Sequence, residues 1–283
     1  MRAIRPIFLS GRSNPKLAKK VAEKFADRLG NIELTDFAGG EINCEIKEDL
    51  NGRTVYVVQT HHPDASRQIF EQALIIREAK NAGAKKIVAV CPFFGYSRQS
   101  QAAKLAADLL SKAGADQIVA VDLHEKVARV SSILVEDLFL EHLGGFGPDL
   151  VIVSPDAGRA KLAEKLSRRL GCQLARITKK RKGKLIEAKL EHGQVKSKIC
   201  VLVDDIIDSG STIIAAAGEL HKNGAREIYC IATHGVFTGD ARTRIQKSKI
   251  KEVIVSNTID SSGSPKIKVV STGQLIADRL AQD

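Results

Sequence analysis

Cys200-Val201-Leu202-Val203-Asp204-Asp205-Ile206-Ile207-Asp208-Ser209-Gly210-Ser211-Thr212 is the stretch from which the fold reads most directly. An apolar run without polar alternation passes into two adjacent acids, a loop of small residues and the start of a helix. The helix pattern continues from Ile213 to Asn223, Gly224 stops it, and Ile228-Tyr229-Cys230-Ile231 follows as the next strand. Strands that are apolar without alternation are buried on both faces, so the pattern predicts a parallel sheet covered by helices.

The same unit recurs upstream. Gln68 to Ala82 has helical periodicity, Gly83 ends it, and Ile87-Val88-Ala89-Val90-Cys91 reads as a strand. Gln101 to Ala113, Gly114 and Ile118-Val119-Ala120-Val121 repeat the order. In each case glycine supplies the left-handed residue that ends a helix at little cost. The matching loops Ala82-Gly83-Ala84, Ala113-Gly114-Ala115 and Asn223-Gly224-Ala225 read as copies of one α/β unit, or as three uses of a common helix-to-strand connector. Gly144-Gly145-Phe146-Gly147-Pro148 concentrates turn residues and marks the expected boundary, giving domains of residues 1–145 and 146–283. Leu150-Val151-Ile152-Val153 then opens the second half as a strand.

Composition narrows the class. With 283 residues, 43% of them hydrophobic, the chain can build one large or two ordinary aliphatic cores. No apolar run approaches a bilayer span, and the start Met1-Arg2-Ala3-Ile4-Arg5-Pro6 lacks the apolar stretch of a signal peptide. Cys44, Cys91, Cys172, Cys200 and Cys230 are scattered among apolar residues with no Cys-x-x-Cys pair, as buried free thiols in a reducing cytoplasm would be. A net charge of +11 suits either nucleic acid or small polyphosphates. The 4% aromatic content argues against single-strand binding, and no helix-turn-helix, zinc, RNA-binding or Walker signature is present.

The opening stretch also carries chemistry. In an open α/β sheet ligands sit at the carboxyl ends of the strands. The loop Asp208 to Thr212 offers backbone N–H groups, hydroxyls and a helix N-terminus, which together suit a phosphate monoester. Asp204 and Asp205 would repel phosphate; they fit ribose hydroxyls, either as direct acceptors or through a magnesium ion. A plain strand end with a helix cap explains one acid and the Ser-Thr pair, but not Asp204 and Asp205.

Val-Leu-Val-Asp-Asp-x-x-Asp-Ser-Gly-Ser-Thr resembles the phosphoribosyl pyrophosphate motif of phosphoribosyltransferases and phosphoribosyl pyrophosphate synthases. The rest of the chain is similar to the synthases, the ribose-phosphate pyrophosphokinase family. The likeness runs from Ser10-Gly11-Arg12-Ser13-Asn14 through Pro92-Phe93-Phe94-Gly95-Tyr96-Ser97-Arg98-Gln99, Val121-Asp122-Leu123-His124, Ser154-Pro155-Asp156-Ala157-Gly158 and Thr233-His234-Gly235-Val236-Phe237 to Ser264-Pro265-Lys266-Ile267-Lys268-Val269. It implies an α/β fold of two tandem phosphoribosyltransferase-like domains, each a mainly parallel sheet flanked by helices, with the last helix free to pack back on the first domain. It also implies ATP and ribose 5-phosphate as substrates, Mg2+ as cofactor, no nucleic-acid or membrane partner, and a homo-oligomer built on dimers, up to a hexamer, with ATP sites between subunits.

Residue by residue, the resemblance makes Lys179 and Arg181, in Thr178-Lys179-Lys180-Arg181-Lys182, the catalytic cations of a loop that closes over the phosphates. Diphosphoryl transfer needs cations where charge accumulates; unaided, a basic run is a solvated surface. His124 takes the place of a histidine near magnesium and the ATP phosphates, and Asp156 that of a magnesium-associated aspartate; alone they would read as a structural histidine and a helix cap. Phe37, Glu41, Arg98 and Gln99 match ATP-contacting positions. Asp204, Asp205, Asp208, Ser209, Gly210, Ser211 and Thr212 match the ribose 5-phosphate site.

The departures cluster on the nucleotide side. Gly39 stands where the family has Asp or Asn between Phe37 and Glu41, and Ser66-Arg67-Gln68 replaces an Asn-Asp-Asn stretch. Ser100 replaces an acid after Arg98-Gln99, and a basic and polar stretch before the next helix is missing. Val127-Ala128-Arg129-Val130-Ser131-Ser132 replaces Gln-Ile-Gln-Gly-Phe-Phe, and Arg159 stands for the second glycine of Asp-x-Gly-Gly. Three readings follow: an active synthase, a catalytically impaired regulatory paralogue, or a diphosphokinase acting on another ribose-phosphate-containing acceptor.

Overall fold

A computed structural model describes residues 5–25, 28–182 and 185–282. The chain divides into two compact units, one of residues 1–134, 258–260 and 271–283, the other of residues 135–257 and 261–270.

The first unit is built on a five-stranded parallel sheet. Its elements run β1 (Ile7–Ser10), α1 (Pro15–Lys24), β2 (Ile32–Asp36), β3 (Ile42–Ile46), β4 (Thr54–Val58), α2 (Ala65–Asn81), β5 (Lys86–Cys91), α3 (Ser100–Ala113), β6 (Gln117–Val121) and β7 (Val130–Ile133). The strand order is β1-β4-β5-β6-β7, and β2 and β3 form a separate antiparallel hairpin. Short polar side chains start the helices. Asn14 accepts a hydrogen bond from the Leu17 N–H with Pro15 at the first helical position, and Asp64 accepts from the Arg67 N–H. The apolar runs Val55–Val58 and Ile87–Cys91 are buried, with Phe94, Ile75 and Leu110 packed among them. A final helix, α8 (Gly273–Leu280), belongs to this unit and packs on α1.

The second unit runs α4 (Glu136–Leu143), β8 (Leu150–Ser154), α5 (Ala160–Leu170), β9 (Gln173–Lys182), β10 (Leu185–His192), β11 (Ile199–Ile207), α6 (Ser211–Lys222), β12 (Glu227–Gly235), α7 (Ala241–Lys247), β13 (Glu252–Ser256) and β14 (Ile267–Val270). The seven-stranded order is β10-β9-β8-β11-β12-β13-β14, all parallel except the β9–β10 hairpin. Val201, Leu202, Cys230, Ile231 and Val253 are fully or almost fully buried between helices, as unalternated apolar strands require. The stretch Gly144 to Pro148, read as a boundary, lies in a short 3-10 turn, Gly144–Asp149, after α4.

One local expectation is corrected. The basic run Thr178–Lys182, read as a loop, is the end of β9 and pairs antiparallel with β10, Lys179 opposite Ala188 and Thr178 opposite Lys189. The pairing strand supplies the ladder hydrogen bonds, so a run with no apolar alternation still takes an extended form. Among the described residues, no helix is long and apolar enough to cross a membrane.

Candidate active site

The winding of the second sheet reverses at β8 and β11. From β8 the chain goes to β9 and β10 on one side, while β11 to β14 continue on the other. At such a reversal the loops leaving the two strands part and open a crevice at their carboxyl ends. Asp156 lies just beyond β8, and Asp204 and Asp205 lie in the second half of β11.

The loop from Asp208 to Gly210 joins β11 to α6. Gly210 at the helix start has φ 73°, a left-handed conformation in which a side chain would be strained. The turn leaves the first N–H groups of a twelve-residue helix facing outward, the arrangement that favours an anion. Ser209 and Ser211 hydroxyls lie 3.1 Å apart at this turn. A neighbouring segment braces it: Thr238 Oγ1 donates to Asp208 Oδ1 at 2.6 Å, and the Val236 and Phe237 N–H groups donate to the Ile207 carbonyl at 3.0 Å. Arg244 on α7 adds a guanidinium, its Nη1 3.1 Å from both the Ser209 carbonyl and Ser211 Oγ. Neither Thr238 nor Arg244 was evident from sequence, because nothing near them marks a contact with the β11–α6 loop upstream.

The acid pair is deeply set. Asp205 is 2% exposed, and its N–H donates to Asp204 Oδ1 at 2.9 Å. Burial, and then the neighbouring charge of Asp205, push the Asp204 carboxyl well above the usual carboxylate range, while Arg159 pulls it partly back. Arg159 Nη2 stands 3.1 Å from Asp205 Oδ2, and its Nε 3.8 Å from Asp204 Oδ1. The arginine at the family's glycine position thus rests on the two acids assigned to ribose.

Asp156 precedes a 3-10 turn of Ala157–Arg159, and Lys179 on β9 makes a short ion pair with its carboxylate. The structure therefore brings together two residues that the sequence treated separately. The side chain of Arg181 lies outside the described residues. Asp156 is an accessible oxygen donor, and magnesium bound through one carboxylate plus substrate phosphates needs no denser cage. Among the described residues no group of three or more His, Cys, Asp or Glu side chains is placed to hold a metal ion.

In the first unit, the β2–β3 hairpin carries Phe37 and Glu41 at its tip. A groove of about 670 Å³ is lined by both, with Gly40, Asp64, Arg67 and Phe70 among the other residues. Phe37 is 58% exposed and Phe70 57%, an apolar pair open to a planar ligand. Arg67 holds the tip by donating to Asp36 Oδ1 at 2.5 Å and to the Gly40 carbonyl at 3.2 Å. Arg12 reaches the same Asp36 oxygen at 3.0 Å, and its hydrogen bond leads in holding the Asp36 carboxyl below the usual range. Arg12 also meets the buried Glu71, whose carboxylate takes the Arg12 N–H, the Arg12 Nε and Gln59 Nε2 at 2.6–2.8 Å.

Arg98, Gln99 and His124 do not line that groove. Arg98 and Gln99 stand at the start of α3, where the Gln99 N–H donates to the Tyr96 carbonyl at 2.7 Å. His124 follows β6 and is half-buried. Two departures from the family pattern make specific bonds here: Ser66 Oγ pairs with the Tyr96 hydroxyl at 2.6 Å, and Ser100 Oγ donates to Glu125 at 3.1 Å.

Residues 7–114 match the model of the N-terminal domain of ribose phosphate pyrophosphokinase, and residues 173–282 that of the phosphoribosyl synthetase-associated domain. A ribose-phosphate pyrophosphokinase of Streptomyces coelicolor is 37% identical over 96% of this chain and 90% of its own. That of Caldanaerobacter subterraneus is 38% identical over 96% of this chain and 93% of its own. The crystal structure of phosphoribosylpyrophosphate synthetase from Mycobacterium smegmatis superposes with a TM-score of 0.91 at 34% identity, covering 98% of each chain.

Proposed function

The chain belongs to the ribose-phosphate pyrophosphokinase family, and from that premise we propose that it transfers the β,γ-diphosphate of Mg-ATP to the anomeric hydroxyl of ribose 5-phosphate. The observation that carries this reading is the reversal of winding at β8 and β11. There one unit assembles a phosphate loop, an acid pair and a lysine–aspartate pair at the carboxyl ends of adjacent strands.

The loop from Asp208 to Thr212 receives the 5-phosphate through backbone N–H groups and hydroxyls. Asp204 and Asp205 accept hydrogen bonds from the ribose hydroxyls and so fix the sugar. The anomeric oxygen attacks the β-phosphorus, the bond from that phosphorus to the α-phosphate's bridging oxygen breaks with its electrons going to oxygen, and AMP leaves. The anomeric proton is released. Lys179, with Arg181, places positive charge where the transferring group gathers negative charge. Holding the acceptor in line supplies much of the remaining acceleration. Asp156 is the residue of the second unit that would hold magnesium, which when bound neutralises diphosphate charge.

The first unit, by the same reading, supplies ATP contacts: Phe37 and Glu41 from the hairpin tip, Arg98 and Gln99 from the start of α3, and His124 for the phosphates and magnesium. The substituted residues Ser66, Arg67 and Ser100 each make bonds that organise those elements. The working form is a homo-oligomer, which light scattering on the full chain would report.

Phosphorus NMR of the reaction tests the chemistry. With ribose 5-phosphate and Mg-ATP, a diphosphate attached to the anomeric carbon should grow in step with AMP. Orthophosphate and ADP as the only products would contradict the proposal, and transfer only to a larger ribose-phosphate-terminated acceptor would reassign the substrate.

A further inference from the structure

Arg159 is set where it is by the chain immediately before it. It closes the 3-10 turn that begins after Asp156, its N–H reaching the Asp156 carbonyl at 3.4 Å, and α5 starts at the next residue. The side chain is 15% exposed and spans both acids of the pair, Asp205 at 3.1 Å and Asp204 at 3.8 Å. A guanidinium stays charged at any working pH and presents donors in a planar fork, so one residue can serve two carboxylates at once.

Charge decides what else can stand there. Two carboxyl groups side by side and this deeply buried repel each other whenever both are ionised, and a neighbouring cation relieves that repulsion. Arg159 supplies one positive charge from the chain itself. A divalent ion bridging the same oxygens would meet a fixed like charge a few ångströms away, which makes that position a poor one for magnesium. A neutral pair of sugar hydroxyls meets no such repulsion and can donate to carboxylate oxygens. Asp156 differs: its partner is Lys179, a flexible ammonium on a strand, whose charge a ligand can displace.

We propose that Arg159 takes the place of a bridging cation on Asp204 and Asp205, so that ribose 5-phosphate binds directly to the acids without magnesium. Arg159 acts through the acids and is a positioning residue, specific to a chain with arginine at this turn. The inference rests on the ribose-phosphate assignment of the β11–α6 loop made above.

Calorimetric titration of the full chain with ribose 5-phosphate, in EDTA and in magnesium, tests it. Wild type is expected to bind with the same Kd, within about twofold, in both solutions. Arg159→Gly should weaken binding in EDTA by roughly tenfold to a hundredfold, the range for losing support to a charged hydrogen-bonding group, and magnesium should restore it. Arg159→Lys should stay independent of magnesium. Wild-type binding that requires magnesium would overturn the inference, as would an Arg159→Gly chain whose Kd is unchanged in EDTA. Should Arg159→Gly not fold, Arg159→Gln gives the same reading. Failure of wild type to bind ribose 5-phosphate in either solution would instead sink the assignment of the loop.

Discussion

Arg12→Met probes the ion pair that anchors the β2–β3 hairpin. Glu71 is 1% exposed, and its carboxylate takes three donors, two of them from Arg12. Methionine keeps the backbone N–H at 2.8 Å but removes the guanidinium whose Nε lies 2.6 Å from Glu71. Breaking a buried pair by deleting one partner costs about 3–5 kcal/mol. The low end applies because Gln59 still donates and Arg12 is itself 34% exposed. A loss of ~3 kcal/mol corresponds to a melting temperature lower by roughly 6–12 °C for a body of this size. Circular dichroism melts of wild type, Arg12→Met, Glu71→Gln and the double variant give the coupling directly. Replacing Glu71 by neutral Gln in the Arg12→Met background should recover part of the loss, giving a coupling of at least ~1 kcal/mol. Additive effects, or an Arg12→Met loss below ~1 kcal/mol, would refute the reasoning. Asp36 loses Arg12 but keeps Arg67, so the hairpin tip is loosened rather than released, and the KM for ATP should rise modestly while ribose 5-phosphate binding is unchanged.

The remaining predictions concern the acid pair, a buried histidine and the hairpin that carries Lys179. Asp204→Asn should abolish ribose 5-phosphate binding yet stabilise the ligand-free fold at pH 8 by at least ~1 kcal/mol, since each unit of raised pKa is worth about 1.4 kcal/mol. Because the folded pKa lies above the unfolded one, wild-type stability from this group falls as pH rises through the shifted range, and the variant's urea midpoint should be flatter there. His61 is fully buried, accepts the Gly95 N–H at Nδ1 and donates from Nε2 to Gln72, and burial lowers its pKa to about 4. The unfolded chain therefore binds the extra proton first, and wild type should lose roughly 2 kcal/mol between pH 7 and pH 5, a loss absent in His61→Gln. Gly193 has φ 100°, and a Cβ there would stand 2.6–2.7 Å from Ala175 and the Leu174 carbonyl on β9. Gly193→Ala should cost ~2–4 kcal/mol in the same melts and depress turnover with it; a neutral result would mean that β10 can shift freely.

The α/β architecture was legible because local and global preferences agree. Helices closed by Gly83, Gly114 and Gly224 precede the buried strands β5, β6 and β12, close to where periodicity placed them. The proposed phosphate loop and the acid pair were legible for a related reason: both lie within one continuous segment at the end of β11. What escaped was set by pairing across the fold. β9 takes its extended form from register with β10, which a basic run does not announce. Arg159 showed in the sequence only as a departure, since its contact with Asp205 joins residues far apart in the chain. Arg67 and Ser100 likewise read as losses until their partners Asp36 and Glu125 were in view.

Release of AMP from ATP in magnesium, with and without ribose 5-phosphate, in wild type and Lys179→Ala, tests the central claim most directly. The account predicts AMP that depends on ribose 5-phosphate in wild type and falls by at least about a hundredfold in Lys179→Ala, as for removal of one transition-state donor. No AMP above background in wild type, with ribose 5-phosphate still bound, would contradict it.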